Sequence, residues 1–304
     1  MSKTLKILSR PKGNAEEYGK WSVNAYLGCS HGCLYCYLKK GPSGAYLGQG
    51  APVLKKGVVN EDHAYHLAMA EIYANYEEII RDGGLFMTFT SDPCVEETQE
   101  TFFQIALDSA GYLEIPVMFL TKSADFINYW RYTNIVSGMI CRGREIKRLL
   151  AFGWTLTGHD ELEPNASPND KRINAMRLVS ANGFKTWASI EPVIDFDASY
   201  RMIQQALDAG CQHFKIGLLT NNTRVVRKDF SFGEHQFKAF DLAECCQFVG
   251  YVMELTEGRA TVYWKQSFVD FIGDEPVHGM TAQEFLRQWP HSVGKDWNIF
   301  KKEG

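Results

Sequence analysis

The stretch Asn24-Ala-Tyr-Leu-Gly-Cys29-Ser-His-Gly-Cys33-Leu-Tyr-Cys36-Tyr37 puts three of the chain's eight cysteines within eight residues. Their spacing is C-x3-C-x2-C. Thiolates bind zinc or iron–sulfur clusters. A structural zinc site wants four ligands, usually as two separated pairs, whereas three thiols in one compact loop suit three corners of a [4Fe–4S] cubane. The fourth iron is then open to a non-protein ligand. Gly28 and Gly32 supply the backbone freedom needed to wrap such a group. On spacing alone, a Cys3His zinc site using His31 or a distant histidine stands as an alternative, and so do unligated thiols. The other five cysteines, Cys94, Cys141, Cys211, Cys245 and Cys246, are scattered.

Outward from this loop, strand and helix patterns alternate. Strands are expected over 21–27, 85–90, 117–121, 154–157, 185–190, 213–218 and 260–265. Helices are expected over 62–81, 95–110, 123–131, 143–151, 168–182, 199–209 and 237–256. For 168–182 the start signal is Ser167 as N-cap, Pro168 at the first position and Asp170 completing an S-x-x-D box, with Gly183 as the stop. Alternation over some 240 residues argues for a parallel sheet. The expected fold is α/β: a partial (β/α)6-type TIM barrel with parallel strands. It is expected to occupy 21–268, with short extensions at 1–20 and 269–304. Chemistry on such a sheet belongs at the carboxyl ends of the strands. The cysteine loop, Ser91-Asp92-Pro93, Lys122, Gly158-His159-Asp160 and Glu191 all fall there.

Composition narrows the function classes. With 304 residues, 45% hydrophobic and 22% charged, the chain has ordinary globular usage, and disorder, collagen and coiled coil are excluded. The net charge of −4 lacks the basic excess of a dedicated nucleic-acid binder. No run approaches 18 apolar residues, so no membrane span is expected. The N-terminal apolar run is too short for a signal peptide, so a cytoplasmic location is expected, with reduced thiols.

C-x3-C-x2-C with an aromatic before the last cysteine, here Tyr35, resembles the signature of the radical S-adenosylmethionine superfamily. The span Asn24–Tyr37 is similar in particular to its spore photoproduct lyase-like branch. The likeness continues at Thr90-Ser-Asp92, Leu120-Thr-Lys-Ser123, 155–164 and Ser189-Ile-Glu-Pro-Val193. Val262–Phe268 looks like the final strand of phage-associated relatives that share the loop. The resemblance implies a [4Fe–4S] cluster on Cys29, Cys33 and Cys36 that binds and reductively cleaves S-adenosylmethionine to a 5′-deoxyadenosyl radical. It places Tyr35 beside the adenine and Ser91, with Asp92, near the methionyl carboxylate, which Lys122 pairs. Thr157 and Glu191 become contacts to carboxylate, ribose or substrate. A flavodoxin- or ferredoxin-type electron donor is implied, and a nucleotide or nucleic-acid substrate follows by analogy.

One position departs from the lyase pattern. Photoproduct lyases carry a cysteine hydrogen-atom donor immediately before their Thr-Ser-Asp-like stretch, where this chain has Phe89. Cys94 and Cys141 are the candidate replacements, and Tyr37 the candidate relay. His159, Asp160 and Glu161 are expected to line the mouth, and Arg172 to be structural. The rival readings are a non-enzymatic zinc- or iron–sulfur-stapled binding module and, more weakly, a metal-dependent hydrolase.

Overall fold

The computed structural model describes residues 5–39, 50–127, 146–221, 224–273 and 276–301. Its strands are β1 (Leu8–Ser9), β2 (Ser22–Val23), β3 (Tyr26–Leu27), β4 (Val53–Leu54), β5 (Leu85–Met87), β6 (Val117–Thr121), β7 (Leu150–Thr155), β8 (Lys185–Val193), β9 (His213–Leu218), β10 (Thr220–Asn221), β11 (Arg224–Val225), β12 (Phe230–Phe232), β13 (His235–Phe237) and β14 (Thr261–Trp264). The α-helices used below are α1 (Glu61–Ala74), α2 (Tyr76–Arg81), α3 (Gln99–Leu113), α4 (Asn169–Ala181), α5 (Phe196–Asp208), α6 (Leu242–Thr256), α7 (Gln266–Ile272) and α8 (Ala282–Arg287). An eight-stranded sheet takes the order β1-β2-β5-β6-β7-β8-β9-β14. The pairs β2·β5, β5·β6, β8·β9 and β9·β14 are parallel, and β1 is antiparallel to β2. Among the described residues the two end strands do not pair, so the arrangement is that of a partial α/β barrel.

By contacts the chain divides into two compact units, Met1–Phe152 with Pro164–Ser167 and Phe300–Gly304, and Gly153–Glu163 with Pro168–Ile299. In the first, Phe103 of α3, Phe119 of β6 and Phe152 of β7 stack at centroid separations of 5.0–6.2 Å. Offset aromatic stacks of this kind add to the burial of the rings themselves. Near the start of the described chain, β1 packs against α1. Ile7 and Leu8 are buried, and their N–H groups donate to the Glu71 carboxylate at 3.1 and 2.6 Å.

In the second unit every residue of β9 is buried, His213 and Lys215 included, as in a strand covered on both faces. α5 starts on Asp195, whose carboxylate accepts the Ala198 N–H, and buries Ala198, Met202, Ile203, Ala206 and Leu207 at helical spacing. The outer edge of β14 is engaged by the C-terminal segment: Val262 N–H donates to His291 and Val293 N–H to Val262.

The β6 and β9 boundaries match the sequence reading, and other elements move. The strand expected over 21–27 splits, because the chain leaves the main sheet after Val23 and Tyr26–Leu27 pairs with β4 instead. The helix expected over 143–151 is corrected: Ile146–Leu149 is a 3-10 turn and β7 starts at Leu150. Residues 128–131 of the helix expected over 123–131 lie outside the described residues, as does Cys141. The start of the 237–256 helix is the β12–β13 hairpin and its exit, with α6 beginning at Leu242. Strand β8 runs three residues past 190, so Glu191 lies inside it. A register shift between Ile190 and Val193 accommodates Pro192, which has no N–H for the ladder. Ser167 does not cap α4. Its hydroxyl accepts the Ala124 N–H at 2.8 Å, and the Asp160 carboxylate takes the Asn169 N–H at 2.8 Å.

Candidate active site

In the first unit the cysteine loop is held from three directions. Gly28 N–H donates to Thr90 C=O at 2.9 Å. The loop then turns through positive φ at Gly28 and Gly32, which glycine tolerates. Asn165 closes the far side: its N–H donates to His31 C=O at 3.1 Å and its side-chain amide to Ser30 C=O at 3.1 Å. A Cβ on Gly32 would come within 3.1 Å of that amide. His31, itself buried, bonds through Nε2 to the Asp92 carboxylate at 2.8 Å.

Asp92 is the hub beneath this loop. Besides His31 it accepts Thr121 Oγ1 at 2.7 Å, Lys122 N–H at 2.9 Å and Cys94 N–H at 2.9 Å. Burial raises its pKa, but the charge and hydrogen bond of His31, with Thr121 and Lys122, outweigh burial and hold the carboxyl below its ordinary value. All four of these bonds are internal, so Asp92 is tied to the protein. Asn24 plays a similar part for the turn after β5. Its amide donates to Ser9 and Ser22 hydroxyls, and its oxygen accepts the Phe89 N–H at 2.8 Å and Thr88 Oγ1 at 3.2 Å. Thr88, at φ +53°, is held there in a conformation few non-glycine residues adopt.

The remaining candidates of this unit group around the loop. Tyr35 is buried, and Lys122 Nζ lies 5.5 Å from its ring centroid. The Ser91 hydroxyl oxygen is buried with no hydrogen-bond partner among the described residues. Such orphans are rare and call for an explanation. Tyr37 is 63% exposed, and its hydroxyl donates to Phe89 C=O. Cys94 is 1% exposed, and burial followed by the Asp92 charge pushes its thiol up. Cys33 is buried, while Cys29 and Cys36 are half-buried. Among the described residues no three His, Cys, Asp or Glu side chains converge to hold a metal ion. The donor set nevertheless suits a three-thiolate group: all three thiols lie on one pinned eight-residue loop, and burial with the Asp92 charge raises the Cys29 thiol, a penalty that a cation reverses.

In the second unit the loop after β7 and strand β8 carry the other candidates. Thr157 is buried, with its hydroxyl accepting the His159 N–H at 3.2 Å and its own N–H given to Asn169. Glu191 is gripped by Lys265, whose Nζ lies 2.8 and 2.6 Å from the two carboxylate oxygens. Lys265 is 2% exposed, and the absence of a side chain at Gly217 leaves room for the pair, since a Cβ there would meet both. Arg172 donates to Glu163 at 2.6 Å and to Thr155 C=O at 2.9 Å, with both charged side chains fully buried, in keeping with a structural role. His159 bonds through Nδ1 to Glu161 and through Nε2 to Asp195.

No protein-family model matches the chain. It is 24% identical over 190 residues to an uncharacterized protein of Methanocaldococcus jannaschii, a match covering 58% of this chain and 61% of that one. The chain thus spans about three-fifths of that relative's length. Among solved structures it is similar to spore photoproduct lyase complexed with dinucleoside spore photoproduct, with TM-score 0.60, 17% identity, and 87% and 81% of the two chains covered. A point variant of the same lyase matches at TM-score 0.59 and 16% identity over 86% and 80%. The chain shares its fold with spore photoproduct lyase. That is the fold which the resemblance of the cysteine loop to radical S-adenosylmethionine proteins implies.

Sequence reasoning named Asp92, Lys122, Tyr35 and Ser91 and missed what holds them: Asn24, Thr121, Asn165 and the role of His31. Asn24 and His31 lie inside the stretch that opened the reading, and Thr121 adjoins Lys122. Lys265 was the middle of a quoted run without a role, and a lysine beside strand-end tryptophan was the available signal.

The His159 cluster makes a pH prediction. Burial disfavours the imidazolium, but the Asp195 and Glu161 bonds outweigh it and raise the pKa above 6.5. The carboxyls of Glu161 and Asp195 are lowered from 4.5 and 3.8, with burial opposing and His159 prevailing. The raised histidine stabilises the fold fully below its unfolded pKa and loses that contribution as pH rises through the folded value. The lowered carboxyls contribute above their unfolded pKa values and lose it as pH falls through the folded ones. His159→Gln is therefore expected to lower the unfolding midpoint most at about pH 5.5 and much less at about pH 9. A thermal series in which the gap between wild type and variant widens toward high pH contradicts the pairing.

Proposed function

We propose that this chain is a radical S-adenosylmethionine enzyme, with Cys29, Cys33 and Cys36 holding a [4Fe–4S] cluster and the radical acting on a nucleotide or nucleic-acid substrate. The observation that carries the reading is the pinned three-cysteine loop with an unpartnered Ser91 hydroxyl, Lys122 and Tyr35 gathered in the same unit. Bound there, the cluster supplies the electron that cleaves the sulfonium C–S bond, giving methionine and a 5′-deoxyadenosyl radical. Ser91 Oγ offers an unspent hydrogen bond to the carboxylate of the methionyl group, and the Lys122 ammonium offers it a charge. Tyr35 presents a ring to the adenine. Asp92 acts as a positioning residue, through His31, for the cysteine loop. For Thr157 and Glu191 the cofactor role rests on the resemblance alone.

Of the hydrogen-atom donors, Tyr37 is exposed and Cys94 is enclosed, which favours Tyr37 as the relay. A nucleotide-type substrate is supported by the fold shared with a lyase solved with a dinucleoside photoproduct, and an external flavodoxin or ferredoxin is the proposed electron source. No helix of the described residues is long and apolar enough to cross a membrane. A cytoplasmic setting, suited to reduced thiols, is part of the proposal.

The test is anaerobic reconstitution with iron and sulfide, followed by dithionite and S-adenosylmethionine, with 5′-deoxyadenosine measured by mass spectrometry. Wild type is expected to produce it and Cys33→Ala to produce none. If iron binds at full occupancy and neither protein makes 5′-deoxyadenosine, the metal-stapled binding module replaces this reading.

A further inference from the structure

A cavity of about 360 Å³ lies wholly within the second unit, between the end of β14, helix α8 and the segment 292–297. Its size is within the range of about 300–1,000 Å³ typical of small-ligand sites. Two cations, Arg287 and Lys295, line it, against a single acid, Asp296. Neither cation has an ion pair or hydrogen bond among the described residues. Uncompensated cations at a concave surface raise the local concentration of anions. Trp264 and Trp297 also line the cavity. Trp297 is stacked on the buried His213 with centroids 4.2 Å apart, so its ring is held in place before any ligand arrives. Trp264 is 5% exposed, packs edge-on against Phe268 at 4.7 Å, and its indole N–H has no acceptor among the described residues.

We propose that this cavity is a binding site for a small aromatic anion of the nucleoside monophosphate class, separate from the cysteine loop. The phosphate is taken by Arg287 and Lys295, and the flat ring meets the tryptophans. Arg287 supplies a planar fork suited to two phosphate oxygens, and Lys295 a point charge. The site does not rest on the radical reading, and its test is independent of iron.

The test uses the full chain titrated with AMP, with adenosine alone and with inorganic phosphate alone, followed by calorimetry and tryptophan fluorescence. Saturating S-adenosylhomocysteine is present throughout to fill any adenosine site elsewhere. AMP is expected to bind saturably and change the fluorescence, with both fragments weaker. Arg287→Ala/Lys295→Ala is expected to weaken AMP at least about tenfold, as loss of charge-assisted hydrogen bonds does, while its near-UV circular dichroism matches wild type. Trp297→Leu is expected to weaken AMP and adenosine and leave phosphate unchanged. Absence of saturable AMP binding at millimolar concentration overturns the proposal. So does unchanged AMP affinity in the folded double variant. Phosphate binding as tight as AMP overturns the aromatic half of the assignment.

Discussion

Glu163→Ala is expected to destabilise the protein by about 3–5 kcal/mol, the cost of leaving one member of a buried ion pair alone. Both side chains are fully buried, and the Arg172 guanidinium spends its donors on Glu163 at 2.6 Å and on Thr155 C=O at 2.9 Å. With Glu163 gone, the guanidinium keeps its charge, because arginine does not deprotonate in proteins, and loses the buried carboxylate that neutralises it. At roughly 2–4 °C per kcal/mol for a unit of this size, the midpoint falls by on the order of 10 °C. The double variant Glu163→Ala/Arg172→Met removes the stranded charge and is expected to recover more than half of the loss. Thermal unfolding of the set decides it. A loss below about 1 kcal/mol for Glu163→Ala contradicts complete burial of the pair.

The second large effect is expected at Asp92. Its carboxylate accepts four donors from three segments of chain: His31, Cys94, Thr121 and Lys122. Asp92→Asn keeps the shape but turns one oxygen into an NH2, which faces donors where it needs acceptors. A cost of about 2–4 kcal/mol follows, from one or two buried donors left without a partner. His31 loses its anchor in the same change, so the cysteine loop loosens. Reconstituted Asp92→Asn, assayed well below its unfolding midpoint, is expected to retain less than half the wild-type iron, with 5′-deoxyadenosine falling in proportion. Full iron retention in a merely less stable Asp92→Asn reduces Asp92 to a structural residue and removes its positioning role.

The misread elements show where local pattern runs short. Leu149-Leu-Ala-Phe-Gly-Trp is an apolar run whose residues suit helix and buried strand alike, and periodicity does not separate the two. Pairing within the sheet makes it β7. At Ser167 the capping pattern was present, but the hydroxyl is claimed by an N–H 43 residues away, and Asp160 takes its place at the helix start. Helix α5 starts three residues before the expected 199, on its cap Asp195, which accepts the Ala198 N–H and also bonds His159.

What the sequence alone determined about this protein is local or periodic. The three-thiol loop needs only eight consecutive residues, and of the eight sheet strands β2, β5, β6, β8, β9 and β14 show as short apolar runs. Both are legible because neighbours in the chain are neighbours in space. The tertiary structure decided which polar groups meet. His31 reaches Asn165 across 134 residues, Asp92 reaches His31 across 61, and Lys265 reaches Glu191 across 74. Buried polar groups must find partners, and the partner is set by which strand ends the sheet order brings together. Sequence spacing carries no trace of that order, so the roles of Asp92, Lys265 and the unpartnered Ser91 hydroxyl emerge only from the folded chain.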